Sequence, residues 1–202
     1  MKIGVIGAGN IGGTLGAKWA SRQHEVYFGV RDPQKQSLLD KVEQMTGAVQ
    51  VGQSSDAIAF ADVVLFAVPG ASLPGIVEDN LDHLTGKTII DASNNMRGSS
   101  RNALGYLRDK LPTAHLYRAF SSLGWENLDN PDFDGTKADL FYCGDEAERA
   151  TVEGLISDVG LEPVCLGGTD QVGLVEGMTD MWFALAMRRK LGRRIAFKVL
   201  GV

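Results

Sequence analysis

Short apolar runs alternate with amphipathic stretches along almost the whole chain. Runs rich in β-branched and aromatic residues fall at 2–6, 25–30, 49–51, 62–68, 88–91, 115–120, 139–143 and 162–165. Between them, helical spacing of apolar positions appears at 33–45, 73–84, 100–111 and 145–159. Strands apolar on both faces and separated by helices predict a mainly parallel sheet covered on both sides. The stretch 121–136 lacks either period and carries Asn127, Asn130, Pro131 and Gly135, so it predicts a long loop. The last segment, 169–200, reads as helix with Leu174, Met178, Met181, Trp182 and Leu185 on one apolar stripe. The expected class is α/β, a Rossmann-type doubly wound sheet over residues 1–168, with a short C-terminal helical portion over 169–202 that completes a cleft or a dimer interface.

Where the first strand should pass into the first helix stands IGAGNIGGTLG, residues 6–16. Gly7, Gly9 and Gly12 have the G-x-G-x-x-G spacing, in the strand-to-helix context that gives the motif meaning. The first glycine permits the tight turn, the second lets backbone approach a pyrophosphate, and the third lets the helix sit close to the strand. Free N–H groups at the helix start then face the anion. A side chain at Gly9 would occupy the space the pyrophosphate needs.

The end of the second strand reads Gly29-Val30-Arg31-Asp32. An NAD site usually places an acidic residue there for the ribose 2′-hydroxyl; Arg31, with Lys35 one helical turn later, instead suits a 2′-phosphate. NADP is therefore the expected nucleotide. In the competing assignment Asp32 is the ribose acid, although before Pro33 it also makes a good helix N-cap. Ala67-Val68-Pro69 and Ser93-Asn94 end later strands, on the edge where open α/β sheets bind ligands; small residues there admit a nicotinamide ribose, while ordinary turn chemistry explains them as well.

Composition narrows the partners. A formal net charge of −5 argues against a nucleic-acid binder, which needs a concentrated basic face. No apolar run approaches the ~20 residues of a membrane span, and no secretory leader pattern opens the sequence, so a cytoplasmic protein is expected. Cys143 and Cys165 stand apart without ligand spacing, which predicts reduced, partly buried thiols and no metal site. His24, His83 and His115 are dispersed, and no nucleophile elbow or carboxylate pair appears, so no catalytic side chain is assigned. Hydride transfer between two bound cofactors needs none, because proximity and orientation suffice. The basic run 188–194 after Met181-Trp182-Phe183 reads either as a cationic rim for a second cofactor or as helix-terminal charge on a core or dimer-facing helix, the latter being favoured.

The ordered series IGAGNIGGTLG, GVRDPQK, VVLFAVP, TIIDASN, YRAFSSLGWENL and DLFYCGD resembles the coenzyme F-420-dependent NADP oxidoreductase family, from Met1 to about Gly144 and more loosely through LGRRIAFKVL. The resemblance implies an NADP-binding Rossmann domain, a small C-terminal portion forming a deazaflavin cleft, and a homodimer. It implies that Gly7, Ala8, Gly9, Asn10 and Ile11 contact the pyrophosphate, that Arg31 and Lys35 hold the 2′-phosphate, and that Val68, Pro69 and Ala119 lie near the nicotinamide. A hydride would pass directly between nicotinamide C4 and deazaflavin C5. Departures are Val30 where relatives carry Ser or Thr, Ser121-Ser122 in place of Asn-Thr, and Ser93-Asn94-Asn95 in place of Thr-Asn-Pro. The acceptor is thus a small-molecule redox partner, coenzyme F-420 first; alternatives are a flavin- or metal-linked NADPH reductase, an imine or carbonyl reductase, or a non-catalytic NADPH sensor.

Overall fold

The computed structural model describes residues 1–95, 98 and 100–201. Ten strands are present among them: β1 (Lys2–Ile6), β2 (Glu25–Gly29), β3 (Ala48–Gly52), β4 (Val63–Phe66), β5 (Thr88–Asp91), β6 (His115–Arg118), β7 (Asp132–Phe133), β8 (Thr136–Lys137), β9 (Asp139–Gly144) and β10 (Glu162–Cys165). The helices are α1 (Asn10–Ser21), α2 (Gln36–Glu43), α3 (Ser54–Phe60), α4 (Leu73–Glu78), α5 (Leu81–Leu84), α6 (Leu104–Lys110), α7 (Trp125–Asp129), α8 (Arg149–Val159) and α9 (Val172–Phe183).

Eight strands form one sheet in the order β10-β9-β6-β5-β4-β1-β2-β3. From β3 to β6 all neighbours are parallel, β9 runs antiparallel to β6, and β10 is parallel to β9. The fold is Rossmann-type α/β, as the sequence predicts. Its switch point lies between β1 and β4, where chain direction along the sheet reverses and ligands bind in such folds. β4 is VVLF with every residue buried, because helices cover both its faces; β3 at the sheet edge is only half-buried.

Several elements differ from the sequence expectation. The segment 33–45 becomes helical only at Gln36: Asp32 does not cap it, and instead its Oδ1 accepts from Gln34 N–H at 3.2 Å in a local turn. The stretch 73–84 is two helices, broken where the Asn80 amide turns back to donate to Ile76 O at 2.8 Å. The irregular stretch 121–136 contains α7, β7 and the first residue of β8.

The C-terminal expectation of one helix over 169–200 fails. A 3-10 turn at Thr169–Gln171 leads into α9, a π turn follows at Ala184–Arg188, and Lys190 (φ +57°) ends the helical path. The tail then returns to the sheet through a bridge between Asp139 and Phe197. The buried side of α9 is Val175, Thr179 and Trp182; of the expected stripe Trp182 is buried and Met178 and Leu185 are half-buried, whereas Leu174 and Met181 are exposed. Thr179 tolerates burial because its hydroxyl donates to Val175 O at 3.0 Å. Among the described residues no helix is long and apolar enough to cross a membrane.

Candidate dinucleotide site

Backbone bonds bring the strand tips level. Gly7 N–H donates to Gly29 O, and Ala67 N–H to Ile6 O, each at 2.9 Å. A cleft of about 830 Å³ opens at this edge, lined by Gly7, Ala8 and Gly9, by Val30, Arg31, Lys35 and Lys41, and by Ala67, Val68 and Pro69 among others.

The three motif glycines answer to three different constraints. Gly7 has φ +100°, and a Cβ on it would sit 2.6 Å from Ala67 O. A Cβ on Gly12 would collide with the Gly7 carbonyl, which holds α1 tight against the turn. A Cβ on Gly9 would meet no protein atom within 4 Å. Protein packing therefore does not require glycine there; what the missing side chain leaves free is space at the N-terminus of a twelve-residue helix. That terminus carries no side-chain cap and no acidic residue in its first turn, so its amides remain available to an anion. A diphosphate fits this cradle.

At the other end of the cleft Arg31 and Lys35 are joined by Lys41, one face of α2 further along, and by Ser37 and Ser54. Lys41 and Ser37 escape sequence reasoning because α2 starts three residues later than its apolar period suggests; a basic residue at i+6 from Lys35 is the signal that could have found Lys41. Asn10 and Ile11 stand at the start of α1, Asn10 exposed and Ile11 half-buried, while Gly12 is buried beneath the turn. Asp32, the competing ribose acid, also lines the cleft.

Ser93, Asn94 and Ala119 lie behind this lining. Asn94 pairs with Pro69 through an isolated parallel bridge, so it borders the cleft's far end. The Ser93 hydroxyl donates to Asp91 Oδ1 at 2.6 Å, and Ala119 is fully buried. Beneath them is an unforeseen polar centre. Arg118 and Asp91, both wholly buried, pair at 3.2 Å, and Arg118 Nε donates to Glu176 of α9 at 2.9 Å. A charge of each sign at the same depth of two otherwise apolar strands is the sequence signal for it. Just after it Phe120 adopts φ +60°, a sparsely populated conformation for a bulky residue, and stacks edge-on against Trp19 with centroids 5.8 Å apart.

The basic run is mostly structural. Arg193 Nε donates to Glu126 at 2.5 Å with its guanidinium over the Trp182 ring, and Arg194 Nη2 donates to Asp132 O at 2.6 Å while covering Phe133. His24 bonds Asp158 at 2.8 Å, far from the cleft. Among the described residues no cluster of His, Cys, Asp and Glu is placed to hold a metal ion.

Comparison with known proteins gives this geometry its context. Residues 2–95 match the model of the family described as NADP oxidoreductase, coenzyme F420-dependent. The family match spans β1 through the tip of β5, and so includes the glycine turn, the cationic end and Asn94. The rat metalloreductase STEAP3 is 26% identical over 184 residues, 88% of this chain. The chain spans only about a third, 36%, of that curated relative's length. Among solved structures, a candidate F420-dependent NADP reductase from Arthrobacter sp. FB24 superposes with a TM-score of 0.86 at 22% identity, covering 100% of both chains. The hypothetical protein SMa0349 from Sinorhizobium meliloti gives 0.69 at 29% identity, over 83% of this chain and 85% of that one. The F420 oxidoreductase family is the one the sequence resembles.

Proposed function

We propose that the chain binds NADP(H) in the cleft and transfers a hydride between it and a second flat redox cofactor, deazaflavin coenzyme F-420 first. The observation that carries this reading is the cleft itself: one cavity joins an uncapped helix N-terminus, with open space at Gly9, to the three cations Arg31, Lys35 and Lys41. A 2′-phosphate beside those cations gains charge-assisted hydrogen bonds that an unphosphorylated ribose lacks. When bound, the nicotinamide supplies the hydride and its electron pair. The protein's share is to hold the diphosphate on the α1 amides, to seat the ring against Val68 and Pro69, and to exclude water with their apolar surfaces.

Titration calorimetry with NADPH and NADH tests the nucleotide, and a preference for NADPH of at least tenfold is expected. Oxidation of NADPH is then measured with F-420, FMN and ferric citrate in turn. The match to a metalloreductase favours a second reading, a metal-linked NADPH reductase, and turnover with ferric citrate alone would select it. In the same reading the chain is a homodimer: Leu174 (54% exposed), Met181, Met187 and Leu191 leave an apolar surface on the C-terminal segment 169–202 that a second copy covers. Light scattering at micromolar concentration tests that state.

A further inference from the structure

Arg118 ends β6 with no solvent exposure, and each of its three guanidinium nitrogens has a named target. Nε donates to Glu176, Nη1 to the carbonyls of Asp91 (3.1 Å) and Ser93, and Nη2 to the side-chain Oδ1 of Asn94 at 2.9 Å. A guanidinium has five donors and no acceptor. The Asn94 amide must therefore present its oxygen inward, and its NH2 group turns outward. That NH2 lies 3.5 Å from Ser121 O, at the limit of a hydrogen bond, and has a second N–H besides. The hydroxyl of Ser121, a residue 6% exposed, has no partner among the described residues. Asn94 is half-buried and bridged to Pro69, which lines the cleft.

We propose that Arg118 is a positioning residue: it fixes the polarity of Asn94 so that the nicotinamide end of the cleft offers N–H donors and selects a ligand oxygen, such as that of a carboxamide. This rests on the NADP(H) reading above. Arg118 touches no ligand itself; its effect passes through one amide. Asp91 and Glu176 pair with it at 3.2 and 2.9 Å and keep its charge in place.

The test uses two ligands and two variants. NADPH reaches both ends of the cleft, whereas 2′,5′-ADP carries only the phosphorylated adenosine half. Asn94→Asp keeps an oxygen for Arg118 but turns the outward donor into an acceptor. Its melting temperature should stay at the wild-type value, its Kd for NADPH should rise at least tenfold, and its Kd for 2′,5′-ADP should stay within twofold. Arg118→Lys, which loses the bond to Asn94, should show the same split; if it does not fold, Asn94→Asp decides alone. An NADPH affinity within twofold of wild type in Asn94→Asp, or equal weakening toward both ligands, overturns the proposal. Wild-type protein that binds neither ligand removes the NADP(H) reading itself, and this inference with it.

Discussion

Asp91 and Arg118 are register partners on adjacent parallel strands, and their fully buried side chains meet at 3.2 Å. The Asp91 carboxylate also accepts from Ser93 N–H and from Ala103 N–H, at 2.9 and 2.8 Å. One carboxylate thus ties Ser93 to Ala103 while it pairs with the cation beneath it. Removing Asp91 takes away one of the two carboxylates on buried Arg118 and leaves the Ser93 and Ala103 N–H groups without their acceptor. Asp91→Ala is expected to lower stability by about 3–5 kcal/mol, read as a shift in the urea midpoint with an unchanged slope. A loss below about 1 kcal/mol would show that water or a neighbour replaces the carboxylate.

The two glycines inside the α1 turn should separate folding from binding. Gly9→Ala introduces a methyl into open space and should leave the thermal midpoint unchanged, because no protein atom lies within 4 Å. NADPH affinity should fall by tenfold or more, since the methyl stands where the anion approaches. Gly12→Ala drives a methyl into the Gly7 carbonyl and should reduce stability by roughly 1–3 kcal/mol, the range for overpacking. Paired denaturation and calorimetry on the two variants checks this; equal behaviour in both assays would refute the division of labour.

Cofactor preference is predicted to reside in Arg31. It borders the cleft at the tip of β2 with Lys35 and Lys41 close by. Losing one charge-assisted bond costs about 1.5–3 kcal/mol, or roughly 10- to 100-fold in Kd. Arg31→Ala should weaken NADPH by that factor and leave NADH unchanged. If Asp32 instead holds a ribose hydroxyl, the variant will bind both nucleotides as the wild type does, and Asp32→Ala will weaken NADH.

Burial pushes the Cys143 thiol up to about 12, against an ordinary value of 9.0. The folded state therefore keeps its proton where the unfolded chain would release it. This contribution to stability is complete below pH 9.0 and declines as pH rises from there toward about 12. Only thiolate reacts with iodoacetamide, so Cys143 should stay unlabelled at pH 9 in native protein and react once the chain is unfolded. Mass spectrometry after a pH 9 incubation, with and without urea, decides the matter; native labelling of Cys143 would contradict the burial argument.

How far the sequence reveals this molecule depends on whether a residue's fate is settled locally. β4 and β5 were legible because VVLF and TIID leave no polar face to expose. The glycine turn was legible because its spacing has one steric solution. The face of α9 was not: Leu174 and Met181 outrank Thr179 in hydrophobicity, yet the helix buries Thr179, whose hydroxyl is satisfied within its own helix. Arg118 was hidden for a related reason. An arginine at a strand end reads as exposed until two other segments, 91–94 and α9, supply carbonyls, carboxylates and an amide around it. The helix break at Asn80 likewise depends on a side chain competing for a backbone carbonyl, which apolar periodicity does not register.

Helix α1 has a second attachment besides its anion-facing start. Near its C-terminal end the Trp19 indole donates to Leu155 O of α8 at 2.9 Å and rests edge-on against Phe120. The same rod therefore begins at the glycine turn and leans, through Trp19 near its far end, on the residue that follows Ala119. On the proposed reading it acts as a gauge between the diphosphate cradle and the nicotinamide end, and a ligand with the reach of a full dinucleotide engages both.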